Sequence, residues 1–229
     1  MKKRIVYIIT FFMTVFLVFV CQKPLFMLYN SAAEKGAAFG DYLQVMWHGL
    51  SLDAAVCGYL VAVPFLVTLI SVWFHKIPLR KLLLPYYAVI ALLVAVVFVV
   101  DMGLYPFWGF KLDASVFLYL DSPEEAMASV SIGFLLIRVL LMLVLSVLLV
   151  WLMLKVTPRK VKAVKNRFLA TLAMLFIGGV LFVIIRGGVT ESTTNVGQVY
   201  FSSNQFLNHS AVNPAFSLLS SMGKSKDFA

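Results

Sequence analysis

The chain has 229 residues, of which 62% are hydrophobic and only 13% charged, with a mean hydropathy of +0.97. So little polar surface excludes a soluble globule and marks a polytopic membrane protein. The formal charge of +9 would suggest nucleic acid in a soluble protein, but here the basic residues fall between apolar runs, where they act on membrane orientation.

Five segments are long enough to cross about 30 Å of hydrocarbon as helices. The first runs from Ile5 to Leu28, with Lys23 and Pro24 near its far end, where a lysine can snorkel. Its start, MKKRIVYIITFFMTVFLVFVCQKP, has Val20 before Cys21 and no small-x-small cleavage pair, so it reads as an uncleaved signal anchor. The second span is Ala54 to Phe74, with a kink expected at Pro64. The third is Leu82 to Val100, with Pro85 in its first turn. The fourth is Val130 to Leu154 and contains Arg138, and the fifth is Phe168 to Ile185, where Gly178 and Gly179 offer a close-packing face. The fold class expected is therefore all-α, with five transmembrane helices over residues 1–186 and an arm over 187–229.

Charge placement tests that map. With the N-terminus inside, Lys2, Lys3, Arg4, Lys76, Arg80, Lys81, Lys155, Arg159, Lys160, Lys162, Lys165 and Arg167 lie on the cytoplasmic side, twelve of the 19 Lys and Arg. All ten acids fall on or next to the other side, the segregation that positive-inside insertion produces. Five crossings then put the C-terminus outside. The run Thr157 to Arg167 reads as a topological determinant and an anionic-lipid contact rather than a nucleic-acid site.

The predicted outer loops are aromatic. Ala37 to Asp53 is mildly amphipathic and carries Tyr42 and Trp47, which favour the interface. Asp101 to Ser129 mixes six aromatics with aspartates and belongs in the headgroup layer. Within it Ser122, Pro123 and Glu125 predict a helix start at Pro123. In the arm, Asn213 and Pro214 predict a small amphipathic helix to about Met222, while Gln198 to Phe206 alternates like an extended segment.

Few residues point to chemistry. Arg138 is the one charge expected inside a span, about 12 Å below its boundary, where a charge must be paired or hydrated. Its natural partners are Asp53 and Asp101, which cap the second and third spans. The three residues form either a lipid-phosphate site or an internal ion pair. Arg186 at the end of the fifth span, followed by Gly187 and Gly188, is an interfacial anchor with a hinge, or a further headgroup ligand. His48, His75 and His209 lack ligand spacing, as do Cys21 and Cys57, so no metal site is expected in this chain. No phosphate-cradling glycine loop, GxSxG elbow or HExxH is present.

The arm RGGVTESTTNVGQVYFSSNQFLNHSAVNPAFSLLSS, above all NVGQVYFSSNQFLNHSAVNP from Asn195 to Pro214, resembles the linker after the last membrane helix of lipoteichoic-acid-synthase-like, sulfatase-type transferases of the alkaline phosphatase superfamily. The five-span plan and the loop DMGLYPFWGFKLDASVF also look like that family. The resemblance implies a bacterial inner-membrane protein of the cell envelope. It implies too an extracytoplasmic α/β catalytic domain following this arm, with a divalent metal, commonly manganese, and a threonine nucleophile that moves phosphoglycerol or phosphoethanolamine from a phospholipid. No catalytic or metal residue is carried over, because the matching positions lie beyond Ala229. Residues 1–229 would then anchor that domain and accommodate the lipid substrate, without activity of their own. The alternative is a stand-alone small transporter, or a lipid-binding or assembly protein without catalysis.

Overall fold

In a computed structural model, which describes residues 1–31, 37–120, 131–189 and 192–226, the chain is all-helical, with no strand among the described residues. Five helices are long and apolar enough to cross a membrane: α1 Lys2–Tyr29, α3 Leu50–Ile70, α4 Leu79–Trp108, α5 Ile132–Val156 and α6 Arg167–Arg186. Between the first two lies a short helix, α2, Phe39–His48. The arm forms a 3₁₀ turn at Val196–Val199, then α7 Gln205–Ala211 and α8 Pro214–Lys226. The expected helix start at Pro123 lies outside the described residues.

Several boundaries have a local cause. The Ser131 hydroxyl accepts from Phe134 N at 3.2 Å to open α5, and Asn166 Oδ1 accepts from Leu169 N at 3.0 Å to open α6. As read from the sequence, Asn213 caps the arm helix, its Oδ1 accepting from Ala215 N at 3.0 Å and Phe216 N at 3.3 Å. α6 ends at Gly187, whose φ of 88° is left-handed and cheap only for glycine.

Several expectations change. α4 begins at Leu79, so Pro85 sits in its second turn. The extra turn is held because Arg80 Nε donates to the Thr157 carbonyl at 2.7 Å. α3 stops at Ile70 rather than Phe74, because the Ser71 hydroxyl and carbonyl are taken by Arg4 Nε at 2.9 Å and Nη2 at 2.6 Å. Gly178 faces Phe65, where a Cβ would meet the ring at 2.9 Å, but Gly179 faces open space, so only one of the pair is a packing glycine. Gln198 to Phe206 is extended at Tyr200 and Asn204, but its ends are helical: Gln198 belongs to the 3₁₀ turn, and Asn204 Oδ1 captures Phe206 N at 2.8 Å and starts α7.

The bundle stacks α6 on α3, α3 on α1, and α5 on α4 and α1, with α5 and α6 the least buried spans. One apolar core, around Phe11, Phe19, Tyr87 and Met174, fills the half nearer the basic residues. A second, around Phe26, Leu52, Met102, Tyr105 and Phe206, joins the spans to the arm at the opposite end. α2 turns Val45 into that core and leaves Phe39 79% and Trp47 72% exposed, the pattern of a helix lying in a membrane interface.

At the basic end a hydrogen-bonded relay ties three spans. Thr157 Oγ1 donates to the Met153 carbonyl at 2.7 Å, so it accepts from Tyr87 OH at 2.8 Å, and Tyr87 in turn accepts from Tyr7 OH at 2.5 Å. All three side chains are buried. Tyr87→Phe therefore strands Tyr7 and Thr157 together and should cost roughly 1–3 kcal/mol, whereas Tyr7→Phe removes only the first link and should cost about 1 kcal/mol. Thermal unfolding of both variants in one detergent checks the order.

Candidate functional site

The arm end of the bundle buries four charges. Lys23 of α1 pairs with Asp53 of α3, and Lys111, just past α4, pairs with Asp101 of α4. All four are nearly inaccessible, with Asp53 at 0% and Asp101 at 2% exposure. A charge taken out of water in this way must have partners for its remaining lone pairs. Asp53 Oδ1 accepts from Asn213 Nδ2 at 2.9 Å, and Asp101 Oδ1 accepts from Leu112 N at 3.0 Å. Lys111 Nζ also sits 3.8 Å above the Phe26 ring. Burial pushes the Lys111 ammonium below its usual pKa, with Asp101 opposing the shift.

The backbone explains how each group arrives. α4 ends at Gly109, whose left-handed φ of 71° lets the chain double back so that Lys111 meets Asp101 ten residues earlier. Gly49 lets α7 approach, since a Cβ there would lie 2.0 Å from Lys23 Cε and 2.5 Å from the Ala211 carbonyl oxygen. The capping residue Asn213 then uses its free amide hydrogens to reach Asp53 while its carbonyl opens α8. Next to this joint, His209 Nδ1 and Tyr105 OH are 3.1 Å apart. The Gln205 side-chain amide contacts His209 Nε2 at 3.4 Å. With that amide donating, the ring is neutral and its proton sits on Nδ1. Burial first, and then the Lys111 charge, hold the His209 pKa below the ordinary imidazole value, with Asp101 acting the other way.

A water-sized cavity of about 10 Å³ lies at the centre of the cluster, lined by Gln22, Lys23, Asp101, Lys111 and Ser210. Gln22 also lines a second space, a crevice of about 390 Å³ between α1, α4 and α5. The rest of that crevice is almost wholly hydrocarbon, including Leu17, Leu25, Ala95, Phe98, Leu145 and Leu148.

Above the crevice, on the same three helices, stands Arg138 of α5. Its guanidinium bonds Tyr29 OH of α1 and lies 4.9 Å from the Tyr29 ring and 4.5 Å from that of Phe134. Its Nε is 3.5 Å from where a Cβ on Gly103 of α4 would stand, and is buried with no acceptor among the described residues. The expected pairing of Arg138 with Asp53 and Asp101 does not occur, because lysines from closer segments satisfy both carboxylates. Nor is Arg138 the one charge inside the protein: Lys23 is buried rather than snorkelling, and Arg4 is buried at the other end, with Nη1 donating to the Lys162 carbonyl at 3.0 Å. Arg186 stands apart on α6, with Nη1 donating to the Gly188 carbonyl at 3.4 Å. The structure thus unites Asp53 and Asp101 in one cluster, puts Arg138 at the crevice and leaves Arg186 apart from both at the end of α6.

Sequence reasoning missed Lys23, Lys111 and Asn213 as partners. The available signal was partial: Lys111 lies ten residues from Asp101 across a glycine, whereas Lys23 is thirty residues from Asp53 and Lys35 is nearer in the chain.

No protein-family model, no curated protein and no solved structure matches this chain. Fold and site define it as a multi-pass helical membrane protein with a charge-sealed arm.

Breaking the buried pair through Asp53→Ala should cost about 3–5 kcal/mol, while the double variant Lys23→Met/Asp53→Leu should recover most of it. Denaturant or thermal unfolding in detergent reads both. Gly49→Ala should loosen the arm at a cost of roughly 1–3 kcal/mol without changing any charge. For His209, the depressed native pKa means the unfolded or undocked state binds a proton first. Arm stability should be flat above about pH 6.5 and fall as pH drops below that value toward the lower docked pKa, and His209→Gln should flatten the profile. Hydrogen exchange of residues 205–211 measures it.

Proposed function

We propose that this chain is the membrane domain of a lipoteichoic-acid-synthase-like, sulfatase-type phosphotransferase in a bacterial cytoplasmic membrane. In this reading its N-terminus is cytosolic and its arm extracytoplasmic. The domain accommodates the lipid substrate and anchors an α/β catalytic domain that follows Ala229, where the divalent metal is expected. The observation that carries the lipid part is the crevice between α1, α4 and α5. It suits one acyl chain, and at its arm-side end the same three helices present Arg138, a cation with no carboxylate partner among the described residues. Arginine is the side chain best matched to a phosphodiester.

The anchoring part is supported by the arm. The segment that carries the family resemblance, Asn195 to Pro214, packs into the second core through Phe206, Leu207 and Val212 and closes on Asp53 through Asn213. Whatever continues from α8 is therefore held close to the membrane surface. Ser221 of α8 accepts from Ala114 N at 2.8 Å, which fixes the helix against the loop after α4.

Two measurements test this. Phospholipid retained by the purified protein, counted by mass spectrometry, should fall about tenfold in Arg138→Gln, the ratio that loss of one charged hydrogen bond of roughly 1.5 kcal/mol gives. It should fall as well in Leu148→Trp, which fills the crevice. Unchanged retention in both folded variants defeats the lipid role. For sidedness, Leu219→Cys in a Cys21→Ala background should react with an impermeant thiol reagent on intact cells; reaction only after lysis defeats the extracytoplasmic arm.

A further inference from the structure

The basic end of the bundle holds an open cleft of about 770 Å³ between the start of α1 and the segment after α5. Its rim carries four cations, Lys2, Lys3, Arg159 and Lys160, all exposed. No salt bridge among the described residues involves any of them, and the described acids Asp41, Asp53, Asp101 and Asp113 belong to the other end. The floor is formed by Tyr7 and Thr10, and Val6, 46% exposed, continues it along the outward face of α1 with Ile9 and Met13.

This is a built cleft rather than a chance cluster of surface lysines, because its two walls are clamped together. Arg4, 1% exposed, lies between them and donates to the Ser71 hydroxyl and carbonyl and to the Lys162 carbonyl. Thr157, at the root of the second wall, is fixed by Tyr87 OH and by Arg80 Nε. The chain therefore spends a fully buried arginine on holding four further cations at one mouth, where their mutual repulsion disfavours the arrangement unless an anion is present.

We infer that this cleft binds the phosphate of an anionic phospholipid, with the headgroup among Lys2, Lys3, Arg159 and Lys160 and an acyl chain lying along Val6, Ile9 and Met13. A free phosphate would satisfy the charges but leave the apolar continuation unused. That continuation selects the lipid source. The site is distinct from the crevice at the other end and does not depend on the function proposed above.

The full chain in detergent is titrated with phosphatidylglycerol, with phosphatidylcholine and with inorganic phosphate, and binding is followed by native mass spectrometry. The expected result is phosphatidylglycerol binding at least tenfold tighter than phosphatidylcholine. It should weaken at least tenfold when Lys2, Lys3, Arg159 and Lys160 are all changed to Gln. The same number of charges removed at Lys76, Lys81, Lys165 and Arg167 should leave it within about twofold. Because charge removal at this end can disturb insertion, Val6→Trp provides a charge-preserving block and should weaken binding similarly. Equal retention of the two lipids, equal loss in the control variant, no loss in Val6→Trp, or competition by inorganic phosphate at the lipid's own concentration would each overturn the assignment.

Discussion

The carboxylate of Asp53 is the point on which the arm end depends. It is fully buried on α3, shared between Lys23 of α1 and Asn213 of the arm. A carboxylate at that depth without a cation would be unaffordable, and a lysine at position 23 without a carboxylate would have to turn toward water. Each group is therefore tolerated only because the other is present, and both oxygens of Asp53 are satisfied only when the arm is docked. This makes docking conditional rather than merely favourable. Apolar contacts of Phe206 and Leu207 supply area, while Asn213 supplies register, because one helical step of displacement would leave Asp53 Oδ1 unpaired.

Length and hydropathy were enough to find five spans, but α4 runs on to Trp108, eight residues beyond the expected end at Val100, because the aromatic-rich residues 105–108 continue the helix. The five were found because those properties depend only on local composition. The Asn213 cap was legible for the same reason, being a matter of two neighbouring residues. Ion pairing was not. Arg138 looked like the partner of Asp53 and Asp101 by residue type and depth, but pairing is decided by rotation about each helix axis and by where loops return. A left-handed Gly109 brings Lys111 back onto Asp101, and a tight approach at Gly49 encloses Lys23. Neither event has a period in the sequence. Gln198 to Phe206 is extended only in its middle, because a side-chain cap at Asn204 turns its last residues into the start of α7.

The two ends of the bundle handle charge in opposite ways. At the arm end, four buried charges of alternating sign neutralise one another and project little field. At the basic end, Arg4 is buried against neutral carbonyl and hydroxyl acceptors, while Lys2, Lys3, Arg159 and Lys160 remain exposed, with no salt bridge among the described residues. One end is closed by electrostatics and the other is left electrostatically open, which suits the first to arm docking and the second to an anion.

That contrast also decides which residue of the arm-end half is suited to a lipid headgroup. Lys23 and Lys111 are more deeply buried than Arg138, but each is committed to a carboxylate, and drawing either toward an incoming phosphate would strand an aspartate. Among the described residues Arg138 holds a phenol and two aromatic faces, contacts that a phosphate can join without displacing a charge. Its position above a hydrocarbon crevice built from the same three helices aligns a polar contact with a place for a chain. The buried cluster therefore serves geometry, by fixing α1 and α4 through Lys23 and Asp101, and the arginine beside it serves recognition.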